Sequence, residues 1–246
     1  MSNFSIIIPT FNDEKIIKKK VLLLIKKLKQ FSIKYEIIIV NDGSIDKTEL
    51  FVKDLLKKYK INLINNKINQ GKSFSIIRGI KKSRYEYVIL IDSDLPYFLQ
   101  LNKVIKLLKK KNDFVFVDRR HKKSKVINNK FNSYKIIRFL IGFFISQILK
   151  IFINLENKSI DTQAGLKGFK KMKILKSYKF ISKRFFLDIE LIYLYKKYSK
   201  KIISIPAKYS ISDKSSINIF SFKKNLEIFI ELIKVIINII LAKKQF

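Results

Sequence analysis

Two aspartates one residue apart, Asp92 and Asp94, follow the uninterrupted apolar run Tyr87–Ile91, in a chain with 53 lysines and arginines against 19 aspartates and glutamates. Carboxylates at i and i+2 beyond a strand end share a hard cation when the chain bends. Mg2+ or Mn2+ favours such oxygen ligands and keeps positions for water or phosphate. A cation held there neutralises a diphosphate and stabilises it as a leaving group. Taken alone, the same pair also reads as a turn or a helix cap. Two further polar clusters share this setting. The run Ser5–Pro9 leads into Thr10, Phe11, Asn12, Asp13 and Glu14, and Ile37–Val40 leads into Asn41, Asp42, Gly43 and Ser44. Phe11 could stack on a base and Asp42 could bond a base or ribose, or each segment could simply end its strand in a turn.

Aliphatic runs without polar alternation suit strands buried on both faces, as in a parallel sheet covered by helices. Ligands of such sheets bind beyond the carboxyl ends of the strands, where these acidic clusters fall. The pattern predicts strands over 4–9, 35–41, 61–65, 86–92 and 113–118, separated by helices over 14–30, 46–59, 71–83 and 98–111. In the first helix Ile16, Ile17, Val21, Leu24, Ile25 and Leu28 recur at helical spacing and form one apolar face. Gly43 suits a turn with positive φ, and Asp46 can cap the helix that follows. Strand–helix alternation with short connections gives the α/β class: a doubly wound, mostly parallel sheet with helices on both faces. Beyond residue 120 the pattern changes to a basic segment (121–130), a long apolar helix (about 134–154) and a glycine-containing segment (161–169). A helix (about 185–198), a strand (201–206) and an amphipathic helix (about 221–243) complete the chain.

At 246 residues with three prolines, six glycines and no linker-like tract, the sequence reads as one α/β domain with helical additions. The absence of cysteine excludes disulfides, thiolate zinc sites and a cysteine nucleophile. The one histidine, His121, stands among Arg119, Arg120 and Lys122 and reads as solvated rather than catalytic. The first residues read as a strand, not a leader peptide. No stretch reaches the ~18–20 charge-free apolar residues of a spanning helix. Phe139–Leu155 is interrupted by Lys150, and Leu226–Ala242 by Glu227, Glu231 and Lys234, so both read as buried or interfacial. The net charge of +34 favours anionic lipid, phosphorylated substrates or nucleic acid. Joint over-use of Lys, Ile, Asn and Phe is also what AT-rich coding produces. Without a recognised RNA- or DNA-binding motif, and with its cations spread throughout, the chain is expected to take no nucleic acid.

In their order and spacing these motifs resemble the family 2 glycosyltransferases of GT-A fold, and among them the dolichyl-phosphate glucose and mannose synthases and their bacterial polyprenyl-phosphate relatives. The likeness is carried by SIIIPTFNDE (5–14), EIIIVNDGSIDKT (36–48), NQGKSFSIIRGI (69–80), YVILIDSDLP (87–96), VDRR (117–120), DTQAGLKGF (161–169) and FFLDIELIYL (185–194). It implies a GT-A, Rossmann-like domain over 1–210 and a C-terminal amphipathic, membrane-interface helix within 211–246. It further implies that Pro9, Phe11, Asn12, Glu14, Asp42, Lys72 and Asp92 bind the nucleotide sugar, and that Asp92 and Asp94 hold Mg2+ or Mn2+. Arg120, Arg138 and Gln163 fall on the acceptor phosphate, and Asp92, Asp94, Asp188 and Glu190 in the catalytic set, with Asp161 in an acceptor-side motif. Two departures stand out: Leu95 and Pro96 follow the acidic pair where mannose-type synthases often carry glutamine, and Gly142 stands where a serine would help bind phosphate.

The reaction so implied is transfer of a hexose from a nucleotide sugar to a polyprenyl phosphate, with inversion at the anomeric carbon; a UDP-glucose-like donor is favoured, and a guanosine-linked donor of the mannose type is its rival. A phosphate monoester is already anionic, so the site needs positioning and charge neutralisation rather than a strong base. Arginines suit bidentate contact with phosphate, although Arg120 and Arg138 also read as surface charges. Asp188 and Glu190, two apart on a helix, point in different directions; one could be a cap and the other an exposed charge. The expected setting is the cytoplasmic face of a membrane, where basic residues and the two apolar helices meet anionic lipid. The rival readings are transfer to a glycan, with Asp188 or Glu190 as base, a sugar-nucleotide-binding scaffold, and a basic nucleic-acid-binding protein. Oligomeric state is left open.

Overall fold

The computed structural model describes residues 2–127, 161, 163–199, 201–209 and 222–244. Arg138, Gly142, the expected helix of about 134–154 and the apolar run Phe139–Leu155 lie outside them.

The aliphatic runs form strands whose two faces both meet apolar layers. In β1 (Asn3–Thr10) Ile6 and Ile8 enter one core and Ile7 the other. In β2 (Lys34–Asn41) Ile37 and Ile39 oppose Ile38 and Val40 in the same way. The first core lies under α1 (Ile17–Leu28), α2 (Thr48–Leu56) and α4 (Leu101–Lys109). The second lies under α3 (Lys72–Lys82) and the later helices. Burying each aliphatic side chain contributes ~1.5–3 kcal/mol, so strands apolar on both faces are driven into the middle layer. In α1 the buried face is Ile17, Val21, Leu24, Ile25 and Leu28, as their spacing predicts, while Ile16 precedes the helix.

With β3 (Ile61–Asn65), β4 (Tyr87–Ile91), β5 (Phe114–Asp118), β7 (Leu166–Lys170) and β8 (Ile202–Pro206), these strands form a seven-stranded sheet of order β3-β2-β1-β4-β7-β5-β8. All its pairings are parallel except those of β7, which runs antiparallel to both β4 and β5. A separate parallel pair joins β6 (Lys125–Val126) to β9 (Lys208–Tyr209). The order turns back between β1 and β4, and such a switch opens a crevice at the carboxyl ends of the strands.

The segment 161–169, expected only to contain glycine, supplies β7. Its β signal is hidden because a lysine and a glycine, Lys167 and Gly168, stand in its buried middle, one toward each face of the sheet. Lys167 is 2% exposed, and its charge is met inside the protein. Gly168 leaves room for α4: a Cβ there would sit 2.6 Å from Leu108 and Val104. After the short α5 (Ile174–Ser177) come α6 (Leu187–Tyr198) and α7 (Phe222–Lys244). Leu232, Val235 and Ile239 bury one face of α7 in the second core. Among the described residues no helix is long and apolar enough to cross a membrane.

Candidate functional site

The loops after β1, β2 and β4 converge at the crevice because those strands run parallel and in register. Asp13 ties the first loop to the third: its Oδ2 accepts from Thr10 Oγ1 at 2.7 Å and from Ser93 Oγ at 2.6 Å. Asn12 and Glu14 lace the first loop to the second. The Asn12 amide donates to Ser44 Oγ and Asn12 Oδ1 accepts from the Ile45 amide, both at 3.0 Å. Glu14 Oε2 accepts the Lys47 amide at 3.0 Å. Asp46 accepts the amides of Glu14 at 3.1 Å and Thr48 at 3.0 Å, while the cap position of α2 falls to Lys47 instead of the expected Asp46. Phe11 projects from this laced frame, 43% exposed, and Pro9 lines the cleft behind it.

Asp42 is 3% exposed and organises the segment that leads into α3. Its Oδ1 accepts from Asn66 Nδ2 at 2.6 Å and from the Gln70 amide at 3.0 Å, and its Oδ2 from the Gly71 amide at 2.8 Å. Any contact with a base shares the carboxylate with these three bonds. Gly71, at φ 102°, then turns the chain into α3 in a conformation side chains rarely adopt. The first residue of α3 is Lys72.

Lys72 Nζ reaches across the crevice to Asp92 Oδ1 at 2.6 Å. Burial alone would lower the Lys72 ammonium, but the carboxylates of Asp92, Asp188 and Asp94 raise it above its ordinary value. Asp92 lies this deep because residue 165 is glycine: a Cβ there would sit 1.9 Å from Asp92 Oδ2. The chain after Asp92 folds back through a bond from the Leu95 amide to the Asp92 carbonyl, with Leu95 at the uncommon φ of 55°. Asp94 thus remains exposed beside Asp92, and partial burial together with the Asp92 charge raises its carboxyl. Asp188, in the first turn of α6, faces the same cleft and receives Lys167 Nζ at 3.0 Å; Lys167 also donates to the Ala164 carbonyl. Burial raises the Asp188 carboxyl, against the pull of Lys167 and Lys72.

The cleft therefore brings together Pro9, Lys72, Asp92, Gln163, Lys167 and Asp188, with Arg184 and Phe185 on its far lip. Glu190 points elsewhere. It is fully buried behind the cleft and accepts the Ile181 and Ser182 amides at 3.0 Å each. The different directions expected of Asp188 and Glu190 are what the helix gives, but neither is an exposed charge, and a base at the fully buried Glu190 would have no path to a ligand in the cleft.

Arg120 follows β5, its amide donating to Asp118 Oδ1 at 2.8 Å. Burial lowers its guanidinium against the pull of Asp161. The neighbouring Arg119 makes the two-pronged bond to Asp161, through Nε to Oδ2 and through Nη2 to Oδ1 at 2.8 Å. Burial would raise the Asp161 carboxyl, but Arg119 holds it below its ordinary value. Asp161 thus joins the 161–163 segment to the end of β5, and its amide reaches Asp118 Oδ1 at 3.2 Å.

Asp13, Arg119, Lys167 and Arg184 escape a reading by motif. Asp13 lies inside a quoted block, but nothing in its spacing announces Ser93 as its partner. Lys167 stands within 161–169, but only its burial and its pairing with Asp188 set it apart from the other lysines. Among the described residues no three or more His, Cys, Asp or Glu side chains are grouped to hold a metal ion. The carboxylates gathered at the crevice are Asp92 and Asp188, which line the cleft, and the exposed Asp94 beside Asp92. Asp92 and Asp94 are hard oxygen donors of the kind that would suit a divalent cation. The Lys72 ammonium, paired with Asp92, adds a positive charge at the crevice.

The profile of the family described as Glycosyl transferase family 2 matches residues 5–171. A dolichyl-phosphate beta-glucosyltransferase of Trichomonas vaginalis is 30% identical over 231 residues, 87% of this chain and 68% of that protein. The dolichyl-phosphate beta-glucosyltransferase of Dictyostelium discoideum is 28% identical over 232 residues, 88% of this chain and 69% of that one. Among solved structures, glucosyl-3-phosphoglycerate synthase from Mycobacterium tuberculosis in complex with Mn2+ and uridine-diphosphate-glucose has a TM-score of 0.65 at 16% identity. That match covers 96% of this chain and 77% of the other and shows a shared fold.

Proposed function

This chain belongs to glycosyl transferase family 2, and from that premise we propose that it transfers a hexose from a nucleotide sugar, UDP-glucose-like by preference, to the phosphate of a polyprenyl lipid. The observation that carries the reading is the crevice itself, where Asp92, Asp94 and Lys72 face one another at the β1–β4 switch beside Asp188. The acceptor class is supported by the relatives named as dolichyl-phosphate glucosyltransferases.

A phosphate oxygen of the acceptor attacks the anomeric carbon, the bond from that carbon to the diphosphate breaks, and nucleoside diphosphate leaves. The family resemblance implies inversion in this single displacement. The acceptor is anionic before it reacts, so no residue must remove a proton from it. Phe11 and the loop held by Asp42 flank the nucleoside, and Lys72 meets the diphosphate. Asp92 and Asp94 would hold Mg2+ or Mn2+, which when bound neutralises the charge growing on the leaving diphosphate. Asp188 is kept in place by Lys167 and orients sugar or acceptor at the cleft. Gln163 borders the acceptor side, and Arg120 offers a planar fork to the lipid phosphate.

Residues 1–210 form the catalytic part in this reading, and α7 within 211–246 is the interface helix. The face of α7 turned away from the core exposes Leu226, Phe229, Ile230, Ile233, Ile237 and Leu241 at helical spacing. Such a face beside lysines suits a peripheral position on an anionic leaflet, on the cytoplasmic side where nucleotide sugars are found.

The deciding experiment supplies membranes or polyprenyl phosphate with radiolabelled nucleotide sugar and looks for a lipid-phosphate-linked product. Arg120→Ala should lower transfer about ten- to hundred-fold, the value of a charge-assisted contact of ~1.5–3 kcal/mol, with little change in donor affinity. Arg120→Lys should recover only part of the loss. Full activity in Arg120→Ala, with label appearing in a glycan, would replace the lipid acceptor by a sugar hydroxyl.

A further inference from the structure

The turn 181–185 is held by two carboxylates that the proposed chemistry does not use. From below, Glu190 of α6 accepts the amides of Ile181 and Ser182. From the side, Glu231 of α7 accepts the amides of Arg184 at 3.0 Å and Phe185 at 3.2 Å, and the Ser182 hydroxyl at 2.6 Å. One helical turn earlier on the same face, Glu227 pairs with the Arg184 guanidinium at 3.5 Å.

The carbonyls of this turn face the other way and close the start of α3. Lys183 accepts the Phe74 amide at 2.9 Å, and Arg184 accepts the Ser73 amide at 3.3 Å. Gly71 lies against the same carbonyl, with no room for a side chain: its Cβ would fall 2.4 Å from Lys183 O. One face of the turn thus fixes the helix start that carries Lys72, and its continuation into α6 carries Asp188. Both side chains enter the cleft.

Besides Glu231, α7 has an apolar seat. Leu232, Val235 and Ile239 anchor the helix in the second core. A carboxylate aimed at successive backbone amides fixes the turn, which apolar contact alone would leave free to slide.

We propose that Glu231 is a positioning residue: through it the C-terminal helix holds the 182–185 turn and so sets Lys72 and Asp188 in the cleft. The role rests on the glycosyl-transfer reading, since the cleft is the one assigned to the nucleotide sugar. It makes α7, some forty residues beyond the turn in sequence, part of the machinery that shapes the donor site.

The test compares Glu231→Gln with Val235→Ala in the full chain. Glutamine keeps the length of the side chain but removes the charge and one acceptor oxygen; Val235→Ala weakens the seat of α7 without touching the turn. Three quantities are read: hydrogen exchange of the amides 182–186, affinity for UDP and for GDP each with Mg2+, and the melting temperature. In Glu231→Gln, exchange at the turn should rise about ten-fold and affinity for the better nucleotide fall several-fold, with the melting temperature nearly kept, as expected when a bond to a charged acceptor is lost. Val235→Ala should lower the melting temperature and leave affinity, measured well below it, near that of the wild type. Unchanged exchange at the turn, or unchanged nucleotide affinity, in Glu231→Gln overturns the positioning role. So do losses in Glu231→Gln that merely track its melting temperature as they do in Val235→Ala. A wild type that binds a nucleotide but makes no lipid-linked product refutes the acceptor reading and leaves this role standing. A wild type that binds neither nucleotide refutes both.

Discussion

Asp92 and Asp94 differ in what surrounds them, and the difference predicts how each responds to substitution. Asp92 is built in: Lys72 takes one oxygen and Gly165 leaves just enough space for the other. Asp94 is exposed and has no packing duty. Asp94→Asn should therefore abolish metal-dependent turnover and leave the melting temperature close to that of the wild type. Near-normal activity of the folded variant at limiting metal would remove Asp94 from the metal site. Gly165→Ala tests the other carboxylate. A methyl 1.9 Å from Asp92 Oδ2 cannot be accommodated, so Asp92 must turn away from Lys72. The expected result is a loss of nucleotide-sugar affinity of about ten-fold or more, the scale of a broken charge-assisted bond, which calorimetric titration would measure. Wild-type affinity would mean that Asp92 does not need its present orientation.

Among the elements, α6 couples cleft and core most directly, because its first turn sends Asp188 forward and Glu190 back. Burial pushes Glu190 up to about 7 from an ordinary 4.5, against the amides of Ile181 and Ser182 and the Tyr178 hydroxyl, which favour the charged form. A carboxyl raised by folding binds its proton more tightly in the native state than in the unfolded chain. Its contribution to stability is therefore full below about 4.5 and is lost as pH rises through about 7. On that basis the protein should lose up to about 3 kcal/mol of stability across that window, and Glu190→Gln should flatten the slope. Urea midpoints at several pH values would check this; an equal slope in wild type and Glu190→Gln would assign the dependence to other groups. The same helix shows why β7 lies where it does. Lys167 on β7 is buried against Asp188, so the antiparallel strand and the helix fix each other across the cleft floor.

For the molecule as a whole, the proposed membrane contact rests on a net charge of +34 and on the apolar outer face of α7. Each basic residue near an anionic leaflet adds ~1 kcal/mol, and the attraction fades with salt because the Debye length is ~8 Å at physiological ionic strength. The protein should sediment with vesicles containing anionic lipid at low salt and be released progressively as salt rises. Phe229→Asp together with Ile233→Asp should weaken that binding while sparing the face anchored by Leu232 and Val235. Equal binding to neutral and anionic vesicles, or no effect of the double substitution, would reject α7 as the contact.

The sequence by itself determined the class of the fold and the edge of the sheet at which the polar clusters gather. Short runs apolar on both faces suit strands in a covered sheet, and their parallel order brings the polar clusters at 10–14, 41–44 and 92–94 to one edge. Local pattern suffices there because strand, turn and carboxylate are adjacent in the chain. Tertiary structure decided what adjacency does not encode. It inserted β7 between β4 and β5, since a strand with a central lysine and glycine becomes favourable only once Asp188 and α4 are there to receive them. It turned Asp42 toward its own loop, gave Arg119 rather than Arg120 the bond to Asp161, and sent Glu190 away from the cleft. It also brought Glu231 to the turn at 182–185. Each of these depends on a partner tens of residues away, and the energy of a buried charge is fixed by that partner, not by its neighbours in sequence.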